Sequence, residues 1–261
     1  MEHARGNGLA RLSRGFQSLS LVIVQPGQKL PTLSSVPGDF AEWAITGMGL
    51  TPDVATRCQP QRGEPLPSPE QVAGVVITGS GAMVTERAPW MQATEAWIRE
   101  LVARETPLLG ICFGHQLLAQ ALGGMVGDNS KGIEVGTVLT RLTPEAWRDP
   151  LFAGWPAVAQ VQASHQQSVL RLPPDAVPLC SSEQDPHHAF RLGSRTWGVQ
   201  FHPEFDARIV AAYEDYYAPR LDPAYRTRAM TRRADSPWGN ELLRAFRHQL
   251  SRASSSTFAT Y

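Results

Sequence analysis

The stretch GICFGHQ, residues 110–116, places a thiol where an apolar run, Pro107 to Ile111, gives way to a segment with helical spacing. A side chain at a strand-to-helix turn is held at the mouth of a pocket, and the positive end of the helix dipole favours a thiolate there. Gly110 and Gly114 flank Cys112 at two residues on each side, as a tight turn would require. Cys112 is therefore the candidate nucleophile. Its candidate base is His202, in VQFHPEF (residues 199–205). That histidine follows the apolar run Trp197–Phe201 and so lies at a strand's carboxyl end, where open α/β sheets gather their sites. Glu204 stands two residues on, on the same side of an extended segment, and Pro203 stiffens the backbone between them. An imidazole oriented by a carboxylate and turned toward a thiol completes a nucleophile, base and orienter set. A third element, TGSGAMV at 78–84, follows another apolar run. Its small residues let backbone N–H groups approach a substrate oxygen, as an oxyanion hole requires.

Each motif alone also has an ordinary reading: Cys112 as a small buried hydrophobe, Gly79-Ser80-Gly81 as a plain loop. The pairing of Cys112 with His202 and Glu204 outweighs these. Other histidines compete for the role of base. His165, in ASHQQSV, follows a strand and is able to face a pocket, whereas His187-His188 in the polar turn DPHHAF reads as solvated. His115 sits within the helix after Cys112 and reads as a packing residue. No metal-ligand spacing joins Cys112 to these histidines, so no metal is expected.

The elements that must position these residues alternate. β-branched runs at Leu19–Gln25 and Gly74–Thr78 and a shorter one at Val54–Cys58, taken as an edge, are interleaved with helical stripes. One stripe is Phe40, Trp43, Ala44 and Met48 within Asp39–Met48. Another begins at Pro89 and is expected to bury Trp90, Ala93, Trp97 and Leu101. This is the pattern of a parallel sheet covered by helices on both faces. After Gly124 the texture changes to strands at Ile133–Leu142, Val158–Ala163, Val177–Ser182 and the hairpin-like Ala189–Leu192/Thr196–Phe201 pair, an antiparallel or mixed addition. Helices at 206–217 and 237–250 close the chain, the second with Leu242, Leu243, Phe246 and Leu250 on one side. The fold class is α/β, a flavodoxin-like three-layer arrangement with a mostly parallel sheet and a smaller antiparallel addition. Residues 19–250 form one domain between a disordered extension, 1–18, and a disordered tail, 251–261.

The 261 residues are 42% apolar, ample for one large α/β domain, and the net charge is zero, which points to neither nucleic acid nor an anionic membrane as partner. Of 24 basic residues only Lys29 and Lys131 are lysines. Arg226, Arg228, Arg232 and Arg233 cluster near the C-terminus, as a solvated helix surface or, less simply, a docking face. The three widely spaced cysteines, Cys58, Cys112 and Cys180, form no disulfide framework and suit a reducing cytoplasm. No run approaches 18 apolar residues, so no transmembrane helix is expected, and the N-terminus lacks the apolar core of a secretory signal.

The sequence G-I-C-F-G-H-Q, followed about 90 residues later by H-P-E, resembles the class I, triad-type glutamine amidotransferases, such as the glutaminase parts of GMP synthetase and carbamoyl-phosphate synthetase. The resemblance runs from Leu19 to Phe205 and continues weakly through SPWGNELLRAF. GDFAEW (38–43) and SHQQSVLRLP (164–173) look most like stand-alone members related to the GMP synthetase glutaminase, a branch that includes γ-glutamyl peptidases. The resemblance implies that Cys112 attacks the side-chain amide of glutamine, giving a thioester and ammonia. His202 would serve as base and then acid, and Glu204 would orient it. The oxyanion donors would be the backbone N–H groups of Ser80 and Phe113. Gly79, Gln116, Ser164, Gln166 and Gln167 would meet the amino-acid end of the substrate. Where the family usually carries Gly-Gly-Pro, this chain reads Gly79-Ser80-Gly81, which keeps a backbone donor in a looser loop. No cofactor is implied. There is neither an ATP-pyrophosphatase signature nor a P-loop G-x-x-x-x-G-K, so the ammonia acceptor would belong to a partner synthetase. A γ-glutamyl peptidase using the same residues is the alternative. A catalytically silent binding module is a third reading, against which the intact Cys112, His202 and Glu204 argue.

Overall fold

The strand Leu21-Val22-Ile23-Val24 sends alternate side chains to opposite faces of a sheet, and both faces are covered. In the computed structural model, which describes residues 20–256, β1 (Ser20–Val24) leads to α1 (Phe40–Gly47), β2 (Ala55–Cys58), β3 (Val72–Ile77), α2 (Pro89–Ala103), β4 (Leu108–Ile111) and α3 (Phe113–Ala121). Then follow β5 (Met125–Asp128), β6 (Glu134–Leu142), β7 (Val158–His165), β8 (Gln167–Arg171), β9 (Val177–Ser182), β10 (Ala189–Leu192) and β11 (Thr196–Val199). The chain closes with α4 (Ala207–Tyr217), α5 (Pro223–Arg232) and α6 (Pro237–Ser256).

One nine-stranded sheet has the order β2-β1-β3-β4-β11-β10-β9-β6-β7. The first five strands run parallel, with β2 at the edge as expected, and the remaining four continue antiparallel. β5 and β8 make a separate two-stranded antiparallel sheet. Leu21, Ile23, Val76, Leu109 and Trp197 share a core with Ala44 of α1, Met48 at its C-cap, and Leu242, Leu243 and Phe246 of α6. On the other face Val22, Val24, Val75, Ile77 and Leu108 meet Met91, Ile98 and Leu101 of α2 and Leu117 and Leu118 of α3. The motif GDFAEW gains a physical reading here. Asp39 caps α1 and Glu42 reaches back to the Asp39 N–H at 3.0 Å, a reciprocal capping box.

Three expectations need correction. The buried stripe of α2 is Met91, Thr94, Trp97, Ile98 and Leu101, with Ala93 exposed and Trp90 half-buried, because the Met91/Ile98 spacing sets the inward face. α5 has no apolar stripe to announce it, burying only Ala229, and starts at its cap Asp222, which accepts from the N–H groups of Ala224 and Tyr225. α6 runs on to Ser256, past the expected boundary at 250. Residues 257–261 and the expected extension at 1–18 lie outside the described residues. Among the described residues no helix is long and apolar enough to cross a membrane.

Candidate active site

β3, β4 and β11 are neighbours and parallel, so the segments leaving their carboxyl ends converge: the loop after Thr78, the elbow at Cys112 and the turn carrying His202. Cys112 caps α3 with φ 50° and ψ −103°, a left-handed conformation rare for a non-glycine residue. The flanking glycines serve another purpose than the turn itself, since neither has a positive φ. A Cβ on Gly110 would lie 2.5 Å from the Gly114 carbonyl oxygen, and one on Gly114 would lie 2.2 Å from that of Ile77. They let α3 start flush against β3 and β4, while the cysteine carries the strain. Phe113 is the first residue of α3, whose opening N–H groups have no partner within the helix.

His202 is 3% exposed, stacked on Phe205 at 4.0 Å between ring centres, and its backbone N–H donates to the Gln162 carbonyl at 2.7 Å. Its Nδ1 lies 2.8 Å from Glu204 Oε1, and a carboxylate can only accept, so Nδ1–H donates. Burial disfavours charge on this ring, yet Glu204 and then Cys112 outweigh it and push its pKa up to about 10. Gly79 lies directly against the imidazole: a Cβ there would fall 2.8 Å from His202 Cε1. Ser80 Oγ donates to the Pro26 carbonyl at 3.2 Å and accepts from the Ala82 N–H at 3.1 Å, so the loop is fastened despite lacking proline.

Cys112, Phe113, Gln116, Ser80, Ser164, Gln166 and Gln167 line one cavity of about 40 Å³, room for roughly one water. Cys112 Sγ approaches the Ser164 carbonyl at 3.5 Å. Gln116 is not free to turn toward a ligand with its amide N–H groups, because Nε2 donates to the Gln167 carbonyl at 2.6 Å and to Gln200 Oε1 at 3.0 Å. Gln167 in turn donates to Thr85 Oγ1 and Asp128 Oδ1. Tyr217 lines the same cavity, and Gln166 links it to Arg220, whose Nη1 donates to Gln166 Oε1 at 3.1 Å. Tyr217 and Arg220 had no motif to mark them in the sequence.

His165 is excluded as a base, since neither ring nitrogen is open: Nε2 meets Glu134 Oε2 at 2.8 Å and Nδ1 meets the Gln167 carbonyl at 3.0 Å. His188 is buried, not solvated as the polar turn suggested, with Nε2 3.0 Å from the same Glu134 oxygen. The turn folds inward because Ser182 Oγ accepts from the Asp185 N–H and Asp185 Oδ1 from the His187 N–H. Glu134, His165 and His188 thus bring three ligand-capable atoms within 4.8 Å of one another, apart from Cys112's own partners. Glu134 was missed because one acidic residue opening an apolar strand carries no signal until β6 pairs with β7 and sets it opposite His165. His115 packs on Phe190 at 5.0 Å between ring centres. Of the four clustered arginines, Arg233 is tied to Glu214, Nε to Oε2 at 2.8 Å, and Arg226, Arg228 and Arg232 are exposed on α5.

Comparison with known proteins supplies the family. Residues 58–210 match the model of the glutamine amidotransferase class-I family, a span that includes Cys112, His202 and Glu204. A glutamine-hydrolysing GMP synthase of Pyrobaculum aerophilum is 35% identical over 161 residues, which is 61% of this chain but 29% of that protein. Among solved structures, a glutamine amidotransferase from Methylobacillus flagellatus superimposes with a TM-score of 0.68 at 24% identity, covering 88% of this chain and 95% of the other. Another from Thermotoga maritima gives 0.67 at 23%, over 89% and 98%. At those identities the structures bear on fold alone. With more than half of its length matched by the family model, the chain belongs to the class-I glutamine amidotransferases.

Proposed function

We propose that the chain hydrolyses the side-chain amide of glutamine to glutamate and ammonia through a thioester on Cys112. The observation that carries this reading is the buried Cys112, with an imidazole held by Glu204 at 2.8 Å, at the carboxyl ends of two adjacent parallel strands. Because the His202 pKa is pushed up to about 10, its ring stores a proton at neutral pH, before substrate arrives. Sγ attacks the amide carbon, and the new C–S bond drives negative charge onto the amide oxygen. The N–H groups of Ser80 and Phe113 are the donors available to that charge. His202 gives its proton to the departing nitrogen as the C–N bond breaks, releasing ammonia. It then takes a proton from the attacking water, and collapse of the second adduct frees glutamate and returns the proton to the imidazole–thiol pair.

Membership in the class-I glutamine amidotransferases supports the side-chain amide of glutamine as the bond cleaved, over that of a γ-glutamyl peptide. The P. aerophilum relative, of which the match spans 29%, is a glutamine-hydrolysing GMP synthase, so a synthetase is the natural consumer of the ammonia. A reducing cytoplasm would keep the three free thiols intact. The experiment is turnover of free glutamine against a γ-glutamyl dipeptide by the purified protein. Glutamine is expected to be the better substrate. A dipeptide cleaved about a hundredfold better would replace this reading with that of a γ-glutamyl peptidase.

A further inference from the structure

Glu134, His165 and His188 take no part in the steps above, yet they are among the most completely buried polar side chains of the molecule. Glu134 Oε2 receives both Nε2 atoms, from His165 at 2.8 Å and His188 at 3.0 Å, and Oε1 accepts from Ser182 Oγ at 2.7 Å. The other nitrogen of His165 faces the Gln167 carbonyl at 3.0 Å. Both ring nitrogens therefore face oxygens that only accept. A neutral imidazole has one N–H and would set lone pair against lone pair at one of the two contacts; a doubly protonated ring satisfies both. His165 joins Ser164, whose carbonyl meets Cys112 Sγ, to Gln166 and Gln167, whose backbone oxygen is gripped from the other side by Gln116.

We propose that Glu134, braced by His188 and Ser182, is a positioning residue. It keeps both N–H groups of His165 engaged and so fixes the Ser164–Gln167 segment opposite Cys112, where the amino-acid end of glutamine docks. The proposal rests on the glutaminase reading and deepens it. The titratable groups facing His165 are Glu134 from β6, Asp185 and His188 from the β9–β10 connection, Cys112 at the elbow and His115 from α3. Burial would strip the second proton from His165, but the hydrogen bond and charge of Glu134 outweigh it and push the pKa up to about 9, with Asp185 and Cys112 adding to this. Burial likewise opposes charge on Glu134, and His188 and His165 overcome it, holding the carboxyl below its usual range.

The test is Glu134→Gln, which keeps the shape and removes the charge. KM for glutamine is expected to rise about tenfold or more while kcat changes less, since a displaced segment weakens docking more than chemistry. KM should also become pH-dependent between 6 and 8 in the variant, where the native protein stays flat until about 9. Values within twofold of the native protein across that range overturn the proposal. ¹⁵N NMR of the histidine rings in the unaltered protein decides the matter even where the variant fails to fold: a singly protonated His165 ring at pH 7 overturns it. So does a stoichiometric divalent ion, retained by the three side chains and released together with activity by a chelator. The parent reading fails separately, by an unaltered protein that releases no ammonia from glutamine or whose Cys112 glutamine does not shield from alkylation.

Discussion

Among the described residues two buried carboxylate–imidazole groups stand out, Glu204 with His202 and Glu134 with His165 and His188, and they differ in what the carboxylate leaves open. Glu204 receives one N–H of His202 and leaves the other nitrogen toward Cys112. Glu134 receives two rings on one oxygen, and the carbonyl of Gln167 takes up the remaining nitrogen of His165. The first arrangement has somewhere to send a proton and the second has nowhere. Both histidines have raised pKa values, so elevation alone does not mark a group that transfers protons. A ring nitrogen turned to Cys112, as the proposed base requires, is the distinguishing feature.

The comparison breaks most sharply under substitutions at the first group. Cys112→Ser should reduce glutamine turnover by at least about 10³-fold, and His202→Ala by on the order of 10²–10⁴. Glu204→Gln should retain more, because an amide still orients the ring without stabilising its charge. Loss of turnover at His165→Ala equal to that of His202→Ala, with unchanged KM, would mean the roles have been assigned to the wrong ring. Steady-state kinetics on the four variants reads this out.

A smaller effect is expected from Gly79→Ala. The new methyl group would fall 2.8 Å from His202 Cε1, so the imidazole must give up its place beside Cys112. kcat is expected to drop about 10- to 100-fold with little change in melting temperature. Unchanged kcat would show that the ring tolerates displacement and that proton transfer through it is not sensitive to its placing.

How much of this could be read from the chain alone follows from the range of the interactions. That Cys112, His202 and Glu204 come together was legible because Cys112 and the His202–Glu204 turn each follow an apolar strand run, and parallel strands align their ends. The Gly110 and Gly114 positions were legible as special, but the reason was not: only the packed structure shows that they make room for backbone while Cys112 takes the positive φ. Glu134 and His188 were illegible. Their meeting depends on the antiparallel register that sets Glu134 opposite His165, 31 positions away, and on a locally bonded turn that delivers His188 to a carboxylate 54 positions away. α5 was missed for a related reason, since a helix that buries one alanine leaves almost no periodic trace.

A third histidine sharpens the contrast from the opposite side, with the smallest expected effect. His115 is fully buried against Phe190 without a carboxylate partner, and burial lowers its pKa to about 3, with Asp185 opposing and His188 adding to the fall. A folded-state pKa below the unfolded value of about 6.5 means that the unfolded chain takes up a proton the native protein refuses. This contribution to stability is present above pH 6.5 and is lost as pH falls toward 3. His165 and His202 have the opposite sign: their contributions are full below pH 6.5 and fade as pH rises through about 9 and 10. Between pH 6.5 and 5 the His115 effect amounts to about 2 kcal/mol at most, equivalent to roughly 4–8 °C of melting temperature for a chain of this size. His115→Leu keeps an apolar group of similar bulk in the same place and removes the titration. The variant should therefore lose less melting temperature than the native protein on acidification over that interval, with glutamine turnover at pH 7.5 nearly unchanged. Parallel melting curves across the interval would mean that His115 takes up its proton in the folded state, and that burial without a carboxylate does not keep this ring neutral.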